Sequence, residues 1–176
     1  YAGSHGCPSS AVGCYGGWIK PWGSTRFPWT VAHGRVGAMS ESEADTIRQI
    51  LADCRTIAVV GASSNPARAS NHVAAYMKAQ GYRVIPVNPN EQTVIGEQAY
   101  PSLTAVPGPI DLVDIFRKSE DVLPIVEEAI ARGAKAIWMQ EGVINEAAAQ
   151  LAREAGLAVV MDRCWLKDHA VRQHRG

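Results

Sequence analysis

Thr56-Ile57-Ala58-Val59-Val60 is an unbroken apolar run rich in β-branched residues, and it stops at Gly61. A half-buried strand alternates apolar with polar residues; a run without alternation suits a strand covered on both faces, as in a parallel sheet. Parallel neighbours cannot be joined by a tight hairpin, so such a strand demands a crossover. The following residues supply one: a helix from about Ser70 to Gln80, a stop at Gly81, and the strand Tyr82-Arg83-Val84-Ile85-Pro86-Val87. The same order recurs as a strand over 111–116, a helix over 120–132 ended by Gly133, a strand over 136–139, a helix over 144–155 ended by Gly156, and a short strand over 157–161. Ahead of the first strand, Ser40 or Ser42 can cap a short helix ending near Asp53, with Ala44, Ile47, Ile50 and Leu51 on one face. The implied fold is α/β, a Rossmann-like open parallel sheet with helices on both faces, forming a single domain.

This grammar begins at about residue 39. Residues 1–38 hold eight of the 16 glycines and Trp18, Trp22 and Trp29, but no Asp or Glu, and show neither helical nor strand periodicity. They read as a disordered or extraneous N-terminal tail, and residues 39–176 as the domain, with Met39 a candidate first residue. Aromatic, glycine-rich tails can bind RNA, but Lys20, Arg26 and Arg35 are too few and too scattered for a strong phosphate term. Across the whole chain 17 basic residues balance 17 acidic ones, which argues against nucleic acid and anionic membrane as partners. No stretch approaches the roughly 18 apolar residues of a membrane span. Cys7, Cys14, Cys54 and Cys164 form no Cys-x-x-Cys pair and are too few for a disulfide framework, so a reducing cytoplasm is the expected compartment.

In open α/β sheets ligands bind beyond the carboxyl ends of the strands. Those positions are polar here: Gly61 to Arg68, Asn88-Pro89-Asn90, Arg117-Lys118-Ser119, Gln140-Glu141-Gly142 and Asp162-Arg163-Cys164. The turn from Gly61 into the next helix exposes backbone N–H groups and the positive end of a helix dipole, both suited to a pyrophosphate, and Ser63 and Ser64 add hydroxyls. The plainer reading makes Gly61 a tight turn and Ser63, Ser64 and Asn65 helix caps. Two details argue against NAD(P). The Gly-x-Gly-x-x-Gly spacing is absent, and Val87-Asn88-Pro89-Asn90 stands where a dinucleotide fold usually places an acidic residue for the ribose hydroxyls. A 3′-phosphorylated nucleotide such as coenzyme A has no need of that carboxylate.

The stretches 57–90 (IAVVGASSNPARASNHVAAYMKAQGYRVIPVNPN), 95–103 (IGEQAYPSL), 110–117 (IDLVDIFR) and 136–164 (AIWMQEGVINEAAAQLAREAGLAVVMDRC), with His169, resemble the stand-alone CoA-binding proteins related to the CoA-binding domain of the succinyl-CoA synthetase α subunit. Asn90 departs from that pattern, since relatives often carry Lys there. The resemblance implies CoA, free or as an acyl-CoA, held across the strand ends. Pyrophosphate would lie at Gly61, Ala62, Ser63 and Ser64 and the first helix turn around Ser70, with Arg68 as a bidentate phosphate partner. Adenosine would lie along Val87, Asn88, Pro89 and Asn90, with further contacts from Phe116, Arg117, Gln140, Glu141 and Gly142. For Arg117 an ion pair with Asp114, Glu120 or Asp121 is an equal alternative, and for Phe116 a place in the core is the better one.

The synthetase α subunit transfers phosphate through a histidine in a second domain, which these 176 residues do not include. His72 falls on a helix where a surface or packing role is the ordinary one. Asp162, Cys164 and His169 could form a nucleophilic or metal-binding set, but a lone Cys and His lack the usual ligand spacings, so no catalytic or metal-ligating residue is assigned. The expectation is a small CoA-binding protein without chemistry of its own. The alternative is an enzyme or enzyme subunit using the same crevice, as a ligase or thioesterase component or an NAD(P)-dependent oxidoreductase. The sequence does not identify a protein partner.

Overall fold

In the computed structural model, which describes residues 43–174, the chain runs α1 (Glu43–Asp53), β1 (Thr56–Val60), α2 (Ala69–Ala79), β2 (Arg83–Val87), β3 (Thr93–Val94), β4 (Glu97–Gln98) and β5 (Leu112–Ile115). A 3-10 turn (Ser119–Asp121) then leads into α3 (Val122–Ala131), β6 (Ala136–Met139), α4 (Glu146–Glu154), β7 (Ala158–Val160) and α5 (Trp165–Gln173). The tail over 1–38 and the caps Ser40 and Ser42 lie outside the described residues. Five strands form one sheet in the order β2-β1-β5-β6-β7, every neighbouring pair parallel. The chain steps from β1 outward to β2 and then crosses back over β1 to β5. The carboxyl ends of β1 and β5 therefore flank the point where crossovers diverge, which is where an open α/β sheet leaves a crevice.

Both faces of the sheet are covered, as its unalternating strands require. Ile47, Ile50 and Leu51 of α1, Val73, Ala74 and Met77 of α2, and Trp165 of α5 pack on one face against Ile57, Val59, Leu112 and Trp138. On the other, Val122, Val126 and Ala129 of α3 and Ala148, Ala149 and Ala152 of α4 cover Ala58, Val60, Val113, Ile115, Ile137 and Met139. The strand starts are tied as well: Asp111 accepts from the N–H groups of Arg55 and Thr56 at 3.0 and 2.9 Å and pairs with Lys135 at 2.7 Å.

Two elements go beyond the sequence reading. The hairpin β3–β4 is two residues per strand, with its turn at Ile95 (φ 51°) and Gly96 (φ 77°), too short for any periodicity to register. The helix α5 starts behind Cys164, which gives no side-chain cap. It is held by its aromatic residues: Trp165, fully buried, stacks on His169 with centroids 4.7 Å apart and meets Tyr82 edge-on at 5.0 Å. Contacts of that kind add about 0.5–1.5 kcal/mol each beyond area burial. Among the described residues no helix is long and apolar enough to cross a membrane.

Candidate functional site

Gly61 ends β1 with φ +86°, and its N–H donates to the Val87 carbonyl at 2.9 Å. A Cβ at this position would stand 2.3 Å from the carbonyl oxygen of Phe116. The glycine is thus demanded by its backbone conformation and by the close approach of the chain leaving β5, whatever ligand lies above it. The loop that follows is organised by its own polar side chains. Asn65 Oδ1 accepts from Ala67 N–H at 2.9 Å, Ser63 Oγ accepts from Asn65 N–H at 3.2 Å, and Asn71 Nδ2 donates to Ser63 O at 2.7 Å. None of these caps α2. Its N-cap is Arg68, extended at φ −86° and ψ 138°, with no side-chain cap bond. The first-turn N–H groups of Ala69 and Ser70 meet no acceptor among the described residues. At α4, by contrast, Asn145 Oδ1 accepts from Ala148 N–H at 2.9 Å.

The uncapped end of α2 faces a cleft of about 360 Å³ at the β1/β5 crossover, lined by Gly61, Ser63, Arg68, Ala69, Ser70, Asn88, Phe116 and Arg117. Arg117 also borders an adjoining hollow of about 150 Å³ together with Val87, Pro89 and Ser102. The ion pairs expected as alternatives for Arg117 are not made: Asp114 bonds to Gln140, and Glu120 pairs with Lys118. Neither Arg68 nor Arg117 has a carboxylate partner among the described residues, so two guanidiniums, two hydroxyls and two helix N–H groups converge on one crevice. That donor set suits a multiply charged oxyanion. Phe116 is half-buried and lines the cleft, so its ring is not wholly given to the core.

Gln140, Glu141 and Gly142 stand apart from this cleft. Gln140 is buried and donates through Nε2 to Asp114 Oδ1 at 2.7 Å, Glu141 pairs with Lys167, and Gly142 N–H donates to Asp162 Oδ1 at 2.8 Å. Ala62 is fully buried, leaving its carbonyl to accept from Asn88 Nδ2 at 2.7 Å, while Ser64 and Asn90 are exposed and do not line the cleft. The set Asp162, Cys164 and His169 is likewise dispersed in its bonding. Asp162 serves Gly142, His169 Nδ1 meets the Tyr76 hydroxyl at 3.1 Å, and Arg163 is held by both oxygens of Asp168. Burial, reinforced by Arg172, pushes the His169 pKa down.

Two acidic residues stand differently from the sequence reading, which took Asp114 only as a candidate partner of Arg117 and gave Glu91 no role. Asp114, fully buried on the central strand, has one oxygen with no hydrogen-bond partner, and burial pushes its pKa up to about 7. Glu91 lies one residue beyond the segment where an acidic group was sought. The turn 88–91 closes with Asn88 Oδ1 accepting from Asn90 N–H at 3.1 Å, and it brings Glu91 Oε1 to the N–H of Ser64 at 3.0 Å and the hydroxyl of Ser63 at 3.4 Å. A carboxylate therefore does stand near the end of β2, against the loop after β1.

A larger groove of about 630 Å³ between α1 and α5, lined in part by Ile47, Leu51, Val171 and Arg172, lies away from the strand carboxyl ends that border the crevice. It does not share the crevice's position at the β1/β5 crossover.

Solved relatives share this chain's architecture, and further relatives match it in sequence. A solved hypothetical protein from Pyrococcus horikoshii is 38% identical, with a TM-score of 0.71 and 77% of this chain and 98% of that one covered. A solved Thermus thermophilus protein is 35% identical, with a TM-score of 0.69 and coverage of 73% and 97%. An uncharacterised Bacillus subtilis protein is 42% identical over 125 residues, 71% of this chain and 93% of that protein. The α subunit of ADP-forming acetate–CoA ligase II from Pyrococcus furiosus is 37% identical over 84 residues, which are 47% of this chain and 18% of the subunit. The family model described as a CoA binding domain matches residues 55–170, from the residue before β1 into α5, and the chain belongs to that family.

Proposed function

We propose that this protein binds coenzyme A, free or as an acyl thioester, in the crevice between the ends of β1 and β5, and performs no chemistry on it. The observation that carries this reading is the pair Arg68 and Arg117, unpaired among the described residues beside the uncapped start of α2. Arg68 is exposed and Arg117 half-buried, and with no carboxylate on either among the described residues both are open to a ligand phosphate. The pyrophosphate would engage Ala69 and Ser70 N–H with Ser63 and Arg68, and Arg117 would take a second phosphate. The nucleoside would lie towards Asn88 and Pro89. Val87 and Pro89 would belong to this site through the adjoining hollow that they share with Arg117. Membership of the CoA binding domain family supports the choice of ligand over other nucleotides.

Calorimetric titration with CoA, dephospho-CoA, NAD and ATP tests the reading. CoA should bind tightest, and Arg117→Ala should weaken it at least tenfold while leaving the melting temperature nearly unchanged. NAD binding as tight as CoA, or an unaffected Arg117→Ala, would sink it. A second reading, a component of a larger acyl-CoA ligase, is favoured by the match to the ligase α subunit. It predicts CoA binding as well, together with ADP-dependent turnover once a phosphate-transferring partner is supplied.

A further inference from the structure

The loop that the CoA reading assigns to pyrophosphate already holds an anion of the protein's own. Glu91 Oε1 accepts the Ser64 N–H at 3.0 Å, and the Ser63 hydroxyl lies 3.4 Å from the same oxygen. These bonds, led by the backbone N–H of Ser64, hold the Glu91 carboxyl below its ordinary pKa, so the group sits there as the carboxylate. The arrangement is built from both sides. Asn88 fastens the end of β2 to the loop by donating to the Ala62 carbonyl at 2.7 Å, and Glu91 N–H closes the turn on the Asn88 carbonyl at 3.3 Å. On the loop side, Asn65 and Asn71 fix Ser63 through its hydroxyl and its carbonyl. Yet the Glu91 side chain itself makes no ion pair among the described residues. It is placed by two hydrogen bonds and remains free to leave.

We propose that Glu91 is a displaceable carboxylate latch that sets the affinity threshold for pyrophosphate-bearing ligands by competing for the donors of Ser63 and Ser64. This deepens the reading of the crevice as a nucleotide site and rests on it for the identity of the natural ligand, though not for the competition itself. A ligand phosphate entering the loop meets the Glu91 charge and must displace it; Arg68 and Arg117 supply the compensating attraction. A ligand without a pyrophosphate gains nothing from displacing the latch. Glu91 is thus a specificity-determining residue. Hydrogen bonds to a charged group, discounted for exposure, set its effect at about three- to tenfold in affinity.

The test titrates the full chain and the variants Glu91→Gln and Glu91→Ala with inorganic pyrophosphate and separately with CoA. The Ser64 amide is followed by NMR. Pyrophosphate should shift that amide at about three- to tenfold lower concentration in both variants, and the ligand-free variants should already show its resonance displaced. CoA should gain the same factor. Unchanged pyrophosphate affinity, or weaker binding in the variants, would overturn the latch, the latter by making Glu91 a ligand contact. Tighter pyrophosphate binding without any CoA binding in wild type or variants would keep the latch and remove CoA as the ligand.

Discussion

Asp114 pairs in register with Val59 and Trp138 on the central strand, where no water reaches it. One oxygen takes a bond from Gln140; the other has none. Burial raises its folded pKa from 3.8 to about 7, so the fold holds the neutral acid and resists the carboxylate. The stability contributed by the neutral form is then full below about pH 4 and is lost as pH rises towards 7. Asp114→Asn carries an unpaired amide N–H at every pH, so it should be less stable than wild type by about 1–3 kcal/mol at pH 4 and, because wild type loses about 4 kcal/mol on the rise to pH 8, more stable by about 1–3 kcal/mol there. Urea unfolding at the two pH values measures this, and an equal gap at both would contradict it. Glycines divide on similarly local grounds. A methyl at Gly61 meets the Phe116 carbonyl at 2.3 Å, whereas one at Gly133 (φ +67°) meets nothing within 4 Å. Gly133→Ala should cost about 1–2 kcal/mol from backbone conformation alone. Gly61→Ala should cost at least twice that in thermal melts, so it cannot report on ligand binding in isolation.

Helix ends separate stability from function at the scale of elements. At α4 Asn145 caps the first turn and also donates to Ser119 O at 2.8 Å, tying the helix to the connection after β5. Asn145→Ala should lose about 1–2 kcal/mol by chemical denaturation. At α2 the N-cap position holds an arginine that caps nothing, although its extended backbone is the geometry that Asp or Ser would use. Arg68→Asp should therefore raise stability by about 0.5–2 kcal/mol while lowering CoA affinity more than tenfold. If the melting temperature falls instead, the uncapped turn is not the source of the expected gain. Since α3 and α5 also begin without a side-chain cap, the uncapped start of α2 points to a ligand only together with Arg68 and Arg117 on the same cleft.

For the molecule as a whole, the family match covers residues 55–170 and two helical layers pack on the sheet within 43–174, and we propose that residues 39–176 fold without the preceding segment. Removing residues 1–38 should leave the melting temperature and any CoA affinity unchanged; a drop of several degrees would show that Trp18, Trp22 or Trp29 contributes to the core. The parallel sheet and its two helical layers were readable from the chain alone, because double-sided burial writes itself as apolar runs such as 56–60 and crossover helices end at glycines such as Gly81, Gly133 and Gly156. That Gly61, Ser63, Arg68, Ser70, Asn88, Phe116 and Arg117 would line one cleft could be expected for the same reason: they follow strands or open the next helix, and a parallel sheet gathers its strand ends on one edge. Tertiary structure decided the rest. Gln140 follows a strand too, yet it turns inward because Asp114 two strand positions away needs a donor, a pairing 26 residues apart in sequence. Glu91 reaches Ser64 across 27 residues, through a turn whose closure depends on Asn88. Periodicity reports burial along one segment, whereas hydrogen bonds between segments depend on how the folded elements meet.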